Sequence, residues 1–244
     1  MKKVYLCYNG NGDFMRLDKF LSNLKYGSRN DIKKLCKDSV IKVNNIIAKK
    51  PDINIDPNVD VVMVYDEEVF YKENITLMMN KPTGYICSNV DELYPSLLRL
   101  LEQKYSRFDF KFAGRLDYDT EGLIILSTNG DIIHQITSPR KDLYKTYYVK
   151  TKLPIKNIEV LECPITLLDG KNNEYTTKGA KTTKISDFEL LLSITEGKFH
   201  QVKRMLEYIK NEVIYLKRIQ IGNLRLPEDL EFGNVIEIDV NDIF

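Results

Sequence analysis

The chain has 244 residues, 43% of them hydrophobic and 29% charged, with a formal net charge of +1 at pH 7. Its apolar runs are too short to cross a bilayer, and its start has too few apolar residues for a secretion signal, so a cytoplasmic protein of one or two domains is expected. Because positive and negative charges nearly balance, any binding of nucleic acid must come from local basic patches.

Cysteine and histidine usage argues against a metal site. The chain has only two histidines, and its four cysteines are far apart without paired spacing: Cys7, Cys36, Cys87 and Cys163. This pattern predicts reduced thiols rather than a disulfide framework or a zinc site. Residues 1–14 contain a glycine and asparagine turn but no phosphate-loop arrangement, so we predict an N-terminal extension without a ligand.

Residues 15–65 predict a small unit of two helices and a β-hairpin. Apolar residues recur at helical spacing from Leu17 to Leu24, and Ser28-Arg29-Asn30-Asp31 has the form of a capping box that starts a second helix. Two β-prone runs around Asn44-Asn45 then predict the hairpin.

This small unit is more basic than the rest of the chain. Residues 15–60 hold ten basic and six acidic residues, a net charge of +4, against +1 for the whole chain. A solvated basic face is the ordinary interpretation of such an excess. The segments Met15–Leu21 and Ser28-Arg29, however, resemble the S4 RNA-binding module. In that module four side chains would face RNA phosphates, giving affinity without reading sequence: Arg16, Arg29, Lys33 and Lys37.

A polar segment at 66–74 is predicted to link this unit to a larger domain at 75–244. The larger domain opens with an apolar run from Leu77 that predicts a strand, ended by a turn at Pro82 and Gly84. The spacing of leucines predicts a helix within residues 93–105.

The most informative stretch runs from Ala113 to Gly130. Its short apolar run, Leu123–Leu126, predicts a buried strand. Asp117 therefore lies on a loop that enters a central strand, and Arg115 flanks it. An aspartate in this position, taken alone, would be interpreted as a turn or capping residue.

Two later segments combine basic residues with tyrosines or with apolar residues at helical spacing. Residues 138–152 interleave tyrosines with basic residues, a pattern that suits RNA, although a strand with core tyrosines is the alternative. Residues 178–184 are predicted to form a mobile basic loop. Thr195–Leu206 has an apolar helical stripe that leaves Lys203 on a different face, and His200 is predicted to form a hydrogen bond at the helix start.

Together these segments resemble the motifs of the pseudouridine synthases. The central motif is matched by the glycine, arginine, leucine and aspartate at 114–117, with Thr120 and Gly122, and the spacing fits the branch that acts on ribosomal RNA. Residues 80–85 resemble the first motif and residues 196–206 the third. Residues 138–140 and 200–204 are most similar to the RsuA type, which modifies small-subunit (16S) ribosomal RNA.

The resemblance implies isomerisation of uridine to pseudouridine within RNA, after base flipping and without a cofactor or metal. It makes Asp117 the nucleophile or acid–base group, Tyr147 a ring against the uracil, and Lys203 the cation that offsets the cost of a carboxylate in a partly dry pocket. Arg115 would fill the gap left by the flipped nucleotide. Further RNA contacts are expected from three side chains: Arg140, Lys145 and Arg204. The expected partner is ribosomal RNA or a ribosomal assembly intermediate, bound by a monomer.

The predicted fold class is α+β, with a small S4-like α/β module before a catalytic domain built on a mixed, mainly antiparallel sheet with flanking helices. Three alternatives remain open. One is a large-subunit (23S) RNA synthase of the same family, and another is a non-catalytic S4-type protein that binds ribosomes or RNA. The third is a glycosidase with Asp117 and Asp119 as paired carboxylates, although the chain has no tryptophan to form a sugar platform.

Overall fold

The computed structural model describes residues 14–138 and 141–244, and the chain divides into two compact units, Met1–Glu73 and Asn74–Phe244. All but Phe14 of the predicted N-terminal extension lies outside the described residues. Within the described ranges, no helix has both the length and the apolar character needed to span a bilayer.

Two helices form the core of the first unit, α1 (Leu17–Asn23) and α2 (Arg29–Lys37). The predicted capping box of α2 is confirmed, because the Asp31 amide donates to Ser28 Oγ and the Ser28 amide donates to the Asp31 carboxylate. The helices bury the apolar side chains that follow helical spacing: Leu17, Phe20, Leu21, Leu24, Ile32 and Cys36.

Short strands complete the first unit: β1 (Met15–Arg16), β2 (Ile41–Val43), β3 (Ile46–Ile47), β4 (Asn54–Ile55), β5 (Val62–Val64) and β6 (Glu67–Glu68). β1 pairs with β4, and the other four form a sheet of order β3-β2-β5-β6. The predicted hairpin is confirmed, with Asn44 and Asn45 both at left-handed φ in its turn. Part of the segment predicted as a linker forms β6, because Glu67 and Glu68 pair with β5 and extend the sheet.

The second unit is built on a nine-stranded sheet. Its members are β7 (Thr76–Lys81), β8 (Lys111–Phe112), β9 (Glu121–Ser127), β10 (Lys145–Thr151), β13 (Lys181–Lys184), β14 (Glu189–Ile194), β15 (Val213–Ile221), β16 (Leu224–Arg225) and β17 (Val235–Glu237). The order is β13-β14-β10-β15-β9-β7-β17, with β8 on β9 and β16 on β15. The β9–β15 pair is parallel and the other pairs are antiparallel, so the predicted mixed sheet is confirmed.

A hairpin and two helices accompany this sheet: β11 (Thr166–Leu168), β12 (Glu174–Thr176), α3 (Gly130–Thr137) and α4 (Gln201–Tyr208). α4 buries the apolar stripe predicted from its sequence, including Val202, Met205 and Leu206, and Lys203 is only partly buried. The helix therefore presents Lys203 on another face, as predicted.

The central strand β9 is the buried strand that the sequence predicted. Leu123–Leu126 have no exposed surface, and β9 lies between β7 and β15. Gly122 is required where β9 and β15 meet, since its φ is +100° and an added Cβ would lie 2.2 Å from the Arg218 carbonyl oxygen. The loop that enters β9 is thus attached to a fully buried, closely packed part of the sheet.

Two of the predicted elements are wrong. Residues 93–105 form short 3₁₀ turns, Leu97–Leu100 and Gln103–Tyr105, because the backbone before them pairs with Ile86 instead of continuing as an α-helix. Residues 181–184 form the edge strand β13 and not a loop, because they pair along β14. Lysines at an edge strand discourage pairing with another chain, which explains the basic composition.

Candidate active site

A cavity of about 60 Å³ brings together the three side chains predicted to act in catalysis, Asp117, Tyr147 and Lys203. They come from the loop before β9, from β10 and from α4. Arg115 also lines the cavity. The remaining walls are formed by Leu116, Thr120, Ile194, Gly197, Lys198, His200, Gln201, Val202 and Leu216.

The loop that carries Asp117 is held from beneath by Lys81, the last residue of β7. Lys81 has no exposed surface, and its Nζ donates to the carbonyl oxygens of Asp117 at 3.0 Å, Thr120 at 2.9 Å and Pro82 at 3.0 Å. Burial lowers the pKa of Lys81, and negative charge around it, including that of Asp117, acts in the opposite direction. The backbone of the loop is fixed by this lysine, so the Asp117 side chain is left to face the cavity.

Lys203 lies between two carboxylates. Its Nζ is 3.3 Å from Asp117 Oδ2, 2.7 Å from Asp119 Oδ1 and 2.9 Å from Asp119 Oδ2. Burial would lower the pKa of Lys203, but the hydrogen bond to Asp119 and the charges of both aspartates outweigh burial and raise the pKa overall. The ammonium form is therefore stabilised next to Asp117.

His200 provides a second nitrogen near the same carboxylate. Its Nε2 lies 3.4 Å from Asp117 Oδ2, and its ring stacks on Phe199 with 3.8 Å between centroids. The residue precedes α4 in the left-handed conformation, with φ of 51°, and its side chain does not cap the helix. The prediction placed a hydrogen-bonding histidine at the helix start, whereas the structure directs the ring toward Asp117.

Tyr147 and Arg115 occupy different depths of the cavity. Tyr147 lies in β10, is only 7% exposed, and stands opposite Leu192 of β14 and Arg218 of β15. Arg115 is exposed, two residues before Asp117. The tyrosine can therefore form a wall for a bound base, and the arginine is accessible from the mouth of the cavity.

The basic side chains of the first unit that are predicted to contact phosphates differ in their exposure and in their ion pairing. Arg29, Lys33 and Lys37 are exposed and, four residues apart, share one face of α2. Arg16 is also half-exposed, but its guanidinium forms two hydrogen bonds with the buried carboxylate of Asp18, at 2.7 and 3.0 Å. Three cations thus face solvent along one helix, and the fourth is engaged in an ion pair.

Two of the remaining side chains predicted to contact RNA are less accessible than those of α2. For Lys145 the prediction is wrong. Lys145 is 7% exposed and donates to the carbonyl oxygens of Leu143 and Thr195, because its place in β10 directs it inward. Arg204 is half-buried, lies over the Phe199 ring and lines a groove beside β11 instead of the Asp117 cavity. Arg140 lies outside the described residues.

Two contributors to the site escaped sequence reasoning. Lys81 was assigned only to a motif with a structural turn, although its place at the end of the apolar run that begins at Leu77 was the available signal. The structure buries all six residues of that strand, Lys81 included. Asp119 was considered only as half of a glycosidase pair. It does not line the cavity, and it binds the same ammonium as Asp117, so the paired-carboxylate interpretation is wrong.

Comparison with known proteins gives matches over both units of the chain. The family model described as RNA pseudouridylate synthase matches residues 75–208, and the S4 domain model matches residues 15–61. A Bacillus subtilis protein named as an uncharacterized RNA pseudouridine synthase is 38% identical, over 92% of this chain and 95% of its own length. Ribosomal small subunit pseudouridine synthase A of Haemophilus influenzae is 35% identical, over 90% and 94%. A crystal structure of a pseudouridylate synthase superposes with a TM-score of 0.64 at 34% identity, covering 94% of this chain and 98% of the other.

Proposed function

The chain belongs to the RNA pseudouridylate synthase family, and from that premise we propose that it isomerises one uridine of small-subunit ribosomal RNA to pseudouridine. The observation that carries the proposal is the 3.3 Å contact between Lys203 Nζ and Asp117 Oδ2, in a cavity that Tyr147 and Arg115 also line. The name of the Haemophilus influenzae relative favours the small subunit over the large-subunit alternative.

The proposed reaction exchanges one bond to the ribose for another. The glycosidic bond between C1′ and N1 breaks, the uracil turns while it stays in the cavity, and C5 bonds to C1′. The proton at C5 is then lost to solvent, and N1 gains a proton. The product has the atoms of the substrate, and no step requires an oxidant or reductant.

Each side chain has a proposed role in this exchange. The Asp117 carboxylate acts as nucleophile or as acid–base group, and Lys203 offsets the cost of keeping it ionised in a partly dry site. Tyr147 packs against the uracil and offers its hydroxyl during proton transfer. Arg115 enters the stack where the flipped nucleotide has left it.

The S4 unit supplies affinity rather than chemistry. Arg29, Lys33 and Lys37 on α2 contact phosphates, which gives binding that weakens as salt concentration rises. The substrate is ribosomal RNA or an assembly intermediate, so the enzyme works in the cytoplasm. All residues of the proposed site come from one chain, so a monomer suffices.

A non-catalytic RNA-binding protein is the remaining alternative from another class. The buried support of the Asp117 loop by Lys81 favours catalysis, because phosphate binding alone has no use for a carboxylate oriented in a cavity. Activity of the purified chain on naked small-subunit RNA, or on an assembly intermediate, distinguishes the two functions.

The decisive experiment is tritium release from RNA that contains 5-tritiated uridine. We expect Asp117→Asn to abolish release and to leave RNA affinity unchanged, because the substitution removes the reacting charge but hardly alters shape. Asp229→Asn makes the same change at an exposed aspartate and should release tritium as the wild type does. Full activity of Asp117→Asn would refute the assignment.

The substrate is tested separately by mapping pseudouridine in strains with and without the gene. We expect one position to be lost from small-subunit RNA and to return when the wild-type gene, but not the Asp117→Asn gene, is restored. A position lost from large-subunit RNA alone would contradict the choice of subunit.

A further inference from the structure

A second cavity, of about 390 Å³, opens beside the Asp117 site. The two cavities share a wall of six residues: Arg115, Leu116, Asp117, Gly197, Lys198 and His200. The far side of the second cavity is formed by the loop after β7, including Ser88 and Glu92. A nucleotide attached to a uridine in the first cavity would be within one backbone step of this space.

Aromatic rings line the second cavity. Tyr118 is 46% exposed and stacks on Tyr94 with centroids 4.5 Å apart and planes 3° from parallel. His200, backed by Phe199, lies on the wall shared with the first cavity. Because each ring is supported by a neighbouring ring, its orientation is set before a ligand arrives. Rings in such positions are the usual platforms for unpaired RNA bases.

The charges of the cavity match the two ends of a nucleotide. Lys198, on the shared wall beyond Asp117 and the stack-filling Arg115, supplies positive charge for a phosphate. Glu92, on the opposite side, supplies a carboxylate, which accepts hydrogen bonds and donates none. A phosphate would be repelled by Glu92, so the base and not the backbone is expected to face it.

Glu92 is held in place by its own loop. Ser88 Oγ donates to Glu92 Oε1 at 3.1 Å, and Ser96 Oγ donates to the Ser88 carbonyl oxygen at 2.5 Å. The Ser96 amide donates to Asp91 Oδ1 at 2.8 Å. These bonds order the loop around Glu92, and the Ser88 hydroxyl contacts the exposed Glu92 carboxylate directly.

We propose that this second cavity holds the nucleotide next to the flipped uridine and that Glu92 selects guanine there. This inference rests on the proposed function. Guanine presents two adjacent N–H donors, N1–H and N2–H, which match the two acceptor oxygens of one carboxylate. Adenine presents an acceptor at N1, and uracil has a single N–H between two carbonyl groups, so neither forms the same pair of bonds.

The test uses short RNAs that contain the mapped target as 5-tritiated uridine. The guanine on either side is replaced in turn by inosine, which lacks the N2 amine, or by adenine. We expect the replacement to matter on only one side of the target uridine. On that side, kcat/KM of the wild type should be about tenfold lower for the inosine RNA than for the guanine RNA, and lower again for the adenine RNA. Glu92→Gln should remove this discrimination, and Glu231→Gln, the same change at an exposed glutamate outside both cavities, should retain it.

Stacking is tested with a second variant. Tyr118→Ala should raise KM for the guanine RNA about tenfold and leave kcat within about twofold of the wild type, because it removes a platform and not a reacting group. An unchanged KM would contradict the platform.

Three results would overturn the choice of guanine: a mapped target without a neighbouring guanine, no discrimination by the wild type, or equal discrimination by Glu92→Gln. Each leaves the proposed function standing, provided that the wild type releases tritium. No release from any small-subunit RNA would refute the proposed function and this inference together.

Discussion

Lys203 binds Asp119 more closely than it binds Asp117, with Nζ 2.7 Å from Asp119 Oδ1 and 3.3 Å from Asp117 Oδ2. Asp117 nevertheless is the carboxylate that lines the cavity. Asp119 is therefore the closer ion-pair partner of the Lys203 ammonium. Lys203 still offsets the negative charge of Asp117, but at a longer distance. In the proposed mechanism, the carboxylate that reacts is thus less tightly paired than the one that only holds the cation.

This arrangement predicts that Asp119→Asn lowers kcat and leaves KM nearly unchanged. With its closer partner neutralised, Lys203 moves toward Asp117 and pairs with it more tightly, and we expect kcat to fall about tenfold, or about 1.4 kcal/mol in activation free energy. Tritium release at saturating RNA measures the effect. Asp229→Asn is the matched control, and an Asp119→Asn enzyme with wild-type kcat would show that Asp119 is only a surface ion-pair partner.

Lys81→Met is predicted to impair both folding and catalysis. The substitution leaves the carbonyl oxygens of Pro82, Asp117 and Thr120 without their hydrogen-bond donor. This cost exceeds the benefit of removing a buried charge, and we expect a net loss of about 2 kcal/mol in the free energy of unfolding. Urea unfolding measures it. Lys156→Met, at an exposed lysine, should match the wild type.

The two roles of Lys81 separate under conditions in which the variant remains folded. Because the Asp117 loop would be less precisely held, we expect kcat to drop at least about tenfold even at low temperature, where the variant is fully native. Loss of stability with wild-type kcat would assign Lys81 to folding alone.

The elements that can be predicted from the sequence are those whose signal is local. Strand β9 follows from four consecutive apolar residues, the start of α2 from Ser28 and Asp31, and the turn of the first hairpin from Asn44-Asn45. Each of these depends on residues within a few positions of one another, so periodicity and capping rules apply directly.

Residues whose role depends on partners distant in sequence cannot be predicted in this way. Lys145 looked like a surface cation, but its strand lies between β14 and β15, and carbonyl groups 2 and 50 residues away receive its hydrogen bonds. Residues 93–105 have helical leucine spacing, yet pairing with Ile86 prevents an α-helix. Likewise, Asp119 acquires its role only because α4 brings Lys203 to it, across 84 residues of chain.

Lys145 is expected to make the free energy of unfolding depend on pH above about pH 8. Burial lowers the pKa of Lys145 from 10.5 to about 8, and the positive charge of Arg218 contributes. Below pH 8 the lysine is protonated in both folded and unfolded chains, so the cost of burying the ammonium is fully present. Between about pH 8 and 10.5 the unfolded chain still binds the proton and the folded chain does not, so this group adds stability as pH rises.

We therefore expect the unfolding free energy of the wild type, minus that of Lys145→Met, to rise by about 2 kcal/mol between pH 8 and 10. Taking the difference cancels other titrating groups, and urea unfolding at several pH values measures it. Lys156→Met is the control and should show no such trend. A flat difference for Lys145→Met would mean that Lys145 is solvated in the folded state.

Gly122→Ala is predicted to be among the most destabilising single changes in the second unit. The added Cβ would lie 2.2 Å from the Arg218 carbonyl oxygen and 2.9 Å from its nitrogen, at a φ of +100° that disfavours alanine. Relief requires β9 and β15 to separate where they pair, and we expect a loss of at least about 3 kcal/mol in unfolding free energy. Gly197→Ala, whose Cβ would meet no atom within 4 Å, should stay within about 1 kcal/mol of the wild type. Equal stability of the two variants in urea would show that the parallel junction is not closely packed at Gly122.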